Sequence, residues 1–115
     1  LQYGAPYINV TCMKCCNPKK KTTREDFKQQ ARICKALANE ARLMIIECLR
    51  DCECSVTKLT EAVGLDQSTV SKHLSALLSV GIVENRKEGN VVFYRLATPC
   101  VLDIFCCIDN VKEKK

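Results

Sequence analysis

The stretch LDQSTVSKHLSALLSVGIV, residues 65–83, runs directly into ENRKEGNVVFYRL, residues 84–96, and the change of rhythm between them decides the fold. In the first piece Val70, Leu74, Leu77 and Leu78 recur at steps of three and four, which sets apolar side chains on one face of a helix. Asp66 stands where a carboxylate would accept from the free amides of a first turn, so the spacing predicts a helix over 67–80. Ser68, Thr69, Ser71 and Lys72 lie mainly off the apolar face, with Gln67 at the helix mouth. Beyond Gly81 the period shortens: IVENR and VVFYRL alternate as strands do, and KEGN supplies a tight connection between them.

Upstream, Val56, Leu59 and Val63 suit a short helix that Gly64 ends, since a residue without a side chain accepts the change of direction there. A short helix, a glycine turn and a longer helix whose first turns are polar and almost free of acid describe a helix-turn-helix. The hairpin behind it is then a wing. Such a reading helix offers short donors and acceptors to the major groove, here Gln67, Ser68, Thr69, Ser71, Lys72 and His73. Arg86, Lys87 and Arg95 on the wing are expected to meet phosphate or the minor groove.

Further upstream, Asn39 caps a helix with Leu43, Ile46 and Leu49 inward and Arg42, Glu47 and Arg50 towards water; the dense apolar run at 43–46 implies cover from several sides. Thr23 caps a first helix through Leu37 with a stripe of Phe27, Ala31, Cys34 and Leu37. Pro99 after Thr98 opens a last helix whose face of Val101, Leu102, Phe105 and Ile108 is broader than the hairpin needs, so part of it should meet a second subunit. The predicted architecture is mainly α with a small β-hairpin, a winged helix-turn-helix in the order α1-α2-α3-α4-β-β-α5, dimeric through its terminal helices. Residues 1–23 form an arm carrying cysteine and lysine, and residues 24–113 form the DNA-binding and dimerisation domain.

A chain of 115 residues fits one domain, and its net charge of +5 suits a polyanionic partner without proving one. The ten cysteines are the unusual number. LQYGAPYINV has neither the basic start nor the apolar core of a secretion signal, and no stretch reaches membrane-spanning length, so a reduced, cytoplasmic protein is expected. Clustered thiols in that setting read as metal-binding or redox-active. No Cys–His–acid constellation is suggested and the one histidine, His73, sits in the reading helix, so the sequence does not point to an enzyme.

Four pieces carry a family resemblance: ALANEARLMIIECL, CEC at the entrance to the third helix, LDQSTVSKHLSALLSVGIV, and the wing RKEGNVVFYRL. Together they resemble the ArsR/SmtB family of winged-helix metalloregulatory repressors, in its arsenite- or cadmium/lead-sensing branch. The resemblance implies a homodimer that binds a dyad operator in double-stranded DNA when free of metal. It also implies release when a soft, thiophilic ion binds cysteine thiolates.

Within that resemblance Cys52 and Cys54 match a Cys-x-Cys ligand pair, with the irregular backbone at the helix entrance turning both sulfurs to one ion. Thr57 stands where one group of arsenite sensors has a third thiol, so the remaining ligands are expected from Cys12, Cys15 and Cys16 of the arm. One arm thiol gives a trigonal set for As(III), Sb(III) or Pb(II); two give a tetrahedral set for Cd(II), Zn(II) or an iron–sulfur cluster. Cys100, Cys106 and Cys107 on the final helix, beside Asp103 and Asp109, form a second candidate site. Cys34 and Cys48 are expected in the core, because a free cysteine buries readily as a small hydrophobe. A redox-sensing or iron–sulfur-sensing winged helix is the alternative reading.

Overall fold

A computed structural model describes residues 21–113. Its first four helices each open on a side chain that accepts from an amide the first turn leaves free. Thr23 accepts from the Asp26 amide at 3.2 Å while the Asp26 carboxylate accepts from the Thr23 amide at 2.9 Å, a reciprocal box that starts α1, Arg24–Leu37. Asn39 accepts from the Arg42 amide at 3.2 Å and starts α2, Glu40–Cys48. Ser55 does the same for α3, Val56–Val63, and Asp66 for α4, Gln67–Ser79. Gly64 closes α3 in the left-handed region at φ 79°, with its amide bonded to the Thr60 carbonyl. The helix-turn-helix is therefore where the sequence put it.

The hairpin follows as β2, Val83–Glu88, and β3, Val91–Leu96, antiparallel with Val83 opposite Leu96 and Arg86 opposite Phe93. A third strand, β1, covers only Cys54–Ser55 and pairs antiparallel with β3, so the sheet order is β1-β3-β2. Two residues are too few for alternation to show in a sequence. A 3-10 turn at Pro99–Val101 then leads into α5, Leu102–Glu113.

The core gathers Ile45 and Ile46 from α2 with Leu49 at its C-cap, Leu59 from α3, Val70, Leu74 and Leu77 from α4, and Ile82, Val83 and Val101 around the sheet. Each fully buried aliphatic side chain contributes about 1.5–3 kcal/mol, so these residues fasten the reading helix to the scaffold that orients it. No helix among the described residues is long and apolar enough to cross a membrane.

Four expectations are corrected. On α1 the chain's own core takes Ala36, with Ile33 and Leu37 packed against it, while Phe27, Ala31 and Cys34 face outward. Cys34 is thus exposed, not a core residue, whereas Cys48 is half-buried and packs against the core. Leu78 lies at the surface end of α4, because Val70, Leu74 and Leu77 already fill the inward stripe. Arg42 turns inward, although Glu47 and Arg50 do pair at the surface at 2.8 Å.

Candidate nucleic-acid interface and thiol site

Burial of Val70 and Leu74 forces the intervening side chains of α4 outward. Gln67, Ser68, Ser71 and Lys72 are exposed and Thr69 half-exposed. Hydrogen bonds from Thr69 hold the Asp66 carboxyl below its ordinary range, so the cap is a full anion at neutral pH; Ser68 also donates to it at 3.4 Å. Its charge is spent on the helix's own amides and hydroxyls. The rest of this face carries no acid from 67 to 72.

His73 is half-buried behind that face. Its Nδ1 accepts from the Arg42 Nε at 3.1 Å, and the same guanidinium donates to the Ala36 carbonyl at 3.2 Å. An imidazole accepting at Nδ1 carries its proton on Nε2. Arg42 therefore ties the α1–α2 junction to the reading helix, a role that helical periodicity alone does not reveal.

On the wing, Arg95 pairs with Glu84 directly across the two strands. Lys87 is exposed. Arg86 is engaged most: its Nε donates to both carboxylate oxygens of Glu53 at 3.0 and 3.2 Å, its Nη2 closes the fork, and its guanidinium lies 4.8 Å from the Phe93 ring centre. Glu53 was not singled out by the sequence reading. No periodicity links side chains 33 positions apart, and the only local hint was an acid standing between two thiols.

The two thiols of that turn have different surroundings. Cys52 is exposed, whereas Cys54 is 4% exposed and its Sγ is turned inward, 3.6 Å from the Cys48 carbonyl and 3.7 Å from the Cys52 carbonyl. The cause is β1: pairing Cys54 opposite Tyr94 points its side chain into the core. Burial, with smaller contributions that include the neighbouring Cys52 and Cys48, pushes the Cys54 thiol up. The CEC stretch thus lies before the third helix, in a turn and a strand, and its sulfurs do not form an open pair. Thr57 is exposed in the first turn of α3. Cys106 and Cys107 are exposed on α5 and Cys100 is half-buried. Among the described residues no three Cys, His, Asp or Glu side chains stand close enough to hold a metal ion. Cys12, Cys15 and Cys16 lie outside the described residues.

Residues 39–85 match the sequence profile of the bacterial regulatory protein, arsR family. A biofilm growth-associated repressor of Xylella fastidiosa is 38% identical over 78 residues, 64% of this chain and 68% of that protein. The chain belongs to the ArsR family. The transcriptional activator HlyU of Vibrio cholerae is 47% identical over 64 residues, 56% of this ArsR-family chain and 59% of HlyU. The chain spans 38% and 59% of the length of two of the curated relatives it matches. The homodimeric winged helix-turn-helix DNA-binding domain of a possible ArsR-family regulator from Mycobacterium bovis superposes with a TM-score of 0.69 at 36% identity, covering 84% of this chain and 91% of that one. The family and the fold are those of DNA-binding transcription regulators rather than enzymes.

Proposed function

We propose that this ArsR-family chain is a transcriptional repressor that binds a dyad operator as a homodimer and releases it when a soft ion, arsenite first, is captured by cysteine thiolates. The observation that carries the DNA half is the exposed, acid-free face of α4 beside a hairpin wing. Gln67, Ser68, Thr69, Ser71 and Lys72 enter the major groove in this reading, with Lys87 and Arg95 towards the phosphates. His73 supports the helix from behind.

For the inducer, Cys52 is the surface thiol that makes first contact, joined by one thiol of Cys12, Cys15 and Cys16. Cys54 completes a trigonal sulfur set suited to As(III) or Sb(III), and two arm thiols complete a tetrahedral one for Cd(II) or Zn(II). Recruiting Cys54 means drawing a buried residue out of β1, which couples ion capture to movement of the sheet. Cys100, in the 3-10 turn before α5, and Cys106 and Cys107 on α5 form the second candidate set. The homodimer rests on the apolar residues that α1 and α5 leave exposed, Phe27, Ile104, Ile108 and Val111 among them.

The test is a titration of the reduced full chain, without oxygen, against a duplex selected by that chain from a random pool. Arsenite, antimonite, cadmium, lead and zinc are added in turn. Arsenite should weaken binding about 5–150-fold, the range of ordinary allosteric coupling, and Cys52→Ser should abolish the response. Equal affinity with and without every ion overturns the reading. Release by arsenite that survives Cys52→Ser moves the sensor to α5.

A further inference from the structure

Arg86 reads on the sequence as a wing cation for phosphate, yet the structure commits it elsewhere. Its guanidinium makes a forked ion pair with Glu53, stands 3.5 Å from a second carboxylate, Glu88, and is stacked over Phe93. Ser55 on β1, Phe93 on β3 and Arg86 on β2 lie in one row across the sheet. Glu53, just before β1, reaches over that row to the far strand. The turn that bears Cys52 and Cys54 is thereby fastened to the wing.

An exposed ion pair between two freely moving side chains fixes little. Here the two-pronged geometry and the aromatic ring fix the guanidinium in direction as well as distance. Two carboxylates beside it also make it a poor partner for a third anion.

We propose that Glu53 and Arg86 are the positioning pair through which the state of the Cys52–Cys54 turn sets the wing. Glu53 is carried between the two thiols, so a ligand that moves either one moves its carboxylate and, through the fork, strand β2. Arg86 is then a positioning residue, and Lys87 beside it is the phosphate contact on that strand. The inference deepens the regulatory reading above and rests on it only for the consequence at DNA.

The coupling is testable without any operator. Methylmercury caps a thiol by forming a sulfur–mercury bond and releasing the thiol proton. Added to the reduced, nitrogen-labelled full chain, it should shift the backbone amide resonances of residues 86–90. That shift should be lost in Cys52→Ser and in Glu53→Ala, and regained when the charges are exchanged in Glu53→Arg with Arg86→Glu. No shift in the native chain, or a full shift in Glu53→Ala, overturns the proposal. Arg86→Met should also leave the salt dependence of binding to the selected duplex unchanged; a slope lower by about one phosphate contact makes Arg86 a DNA ligand and overturns it as well. If the wing responds to methylmercury while no soft ion alters DNA affinity, the reading of release by a soft ion falls and the tie stands.

Discussion

A cysteine reacts according to its thiolate fraction and the access a reagent has to it, and both are restricted at Cys54. Cys52 is exposed, while Cys54 is buried and its thiol is pushed up by that burial. Trace alkylation with iodoacetamide, read by peptide mass spectrometry, should therefore label Cys52 at least about tenfold faster than Cys54 at neutral pH. The same shift has a stability sign. The fold keeps a proton on Cys54 that the unfolded chain releases above a pKa of about 8.5, so stability declines as pH rises past that value. Urea titrations from pH 7 to 10 should show the decline, and Cys54→Val should remove its share. Valine at 54 should cost less than about 1.5 kcal/mol because it keeps an apolar side chain of similar size. It is accordingly the cleaner probe of the ligand role, since serine would place a hydroxyl in the core. At this scale the sequence showed which residues carry sulfur and which polar groups line α4. It did not show that Cys54 points inward or that Glu53 holds Arg86, because both depend on a two-residue strand paired with a distant one.

Helix boundaries were legible because caps are local: Thr23, Asn39, Ser55 and Asp66 each bond to an amide three residues on. Ser55 was the cap not anticipated, its signal masked by the more conspicuous cysteines beside it. Which face of α1 turns inward was not legible. Periodicity announces that a stripe exists, but the body that covers it lies elsewhere in the chain or beyond it. The turn of the helix-turn-helix gives a quantitative test of the local reading. A Cβ built on Gly64 meets nothing within 4 Å, so the residue is required only for its φ of 79°. Gly64→Ala should therefore cost about 1–2 kcal/mol of backbone strain with no steric term. Gly64→Asn should cost less, since asparagine tolerates that region. Ser55→Ala, at the other end of the same helix, should cost about 1 kcal/mol through loss of the cap. Lowered denaturant midpoints with unchanged slopes, least lowered for asparagine at position 64, would confirm all three; a midpoint for Gly64→Ala equal to that of the parent would contradict the first.

The molecule as a whole leaves its last helix without a core of its own. No residue of α5 is buried in a single chain; Leu102 and Phe105 reach the core only in part, and Ile104, Ile108 and Val111 remain exposed. Phe27 on α1 adds to the unburied apolar surface. Burying such surface between two copies supplies the driving force for association at about 25 cal/mol per Å2. The proposed operator reading requires that association, because two reading helices address half-sites about 34 Å apart only when something fixes their separation. Ile108→Asp puts a charge on this surface while leaving the core around Ile45, Leu59 and Leu74 untouched. Its thermal midpoint, measured on protein dilute enough for both forms to be monomeric, should match that of the parent. Sedimentation at higher concentration should give a dimer for the parent and a monomer for the variant. Affinity for the selected duplex should fall towards the salt-sensitive level of non-specific binding, since a lone reading helix keeps its phosphate contacts and loses the second half-site. A variant that sediments as a dimer would show that this face of α5 does not set the pairing, and a monomeric one that grips the duplex like the parent would show that pairing does not set the operator contact.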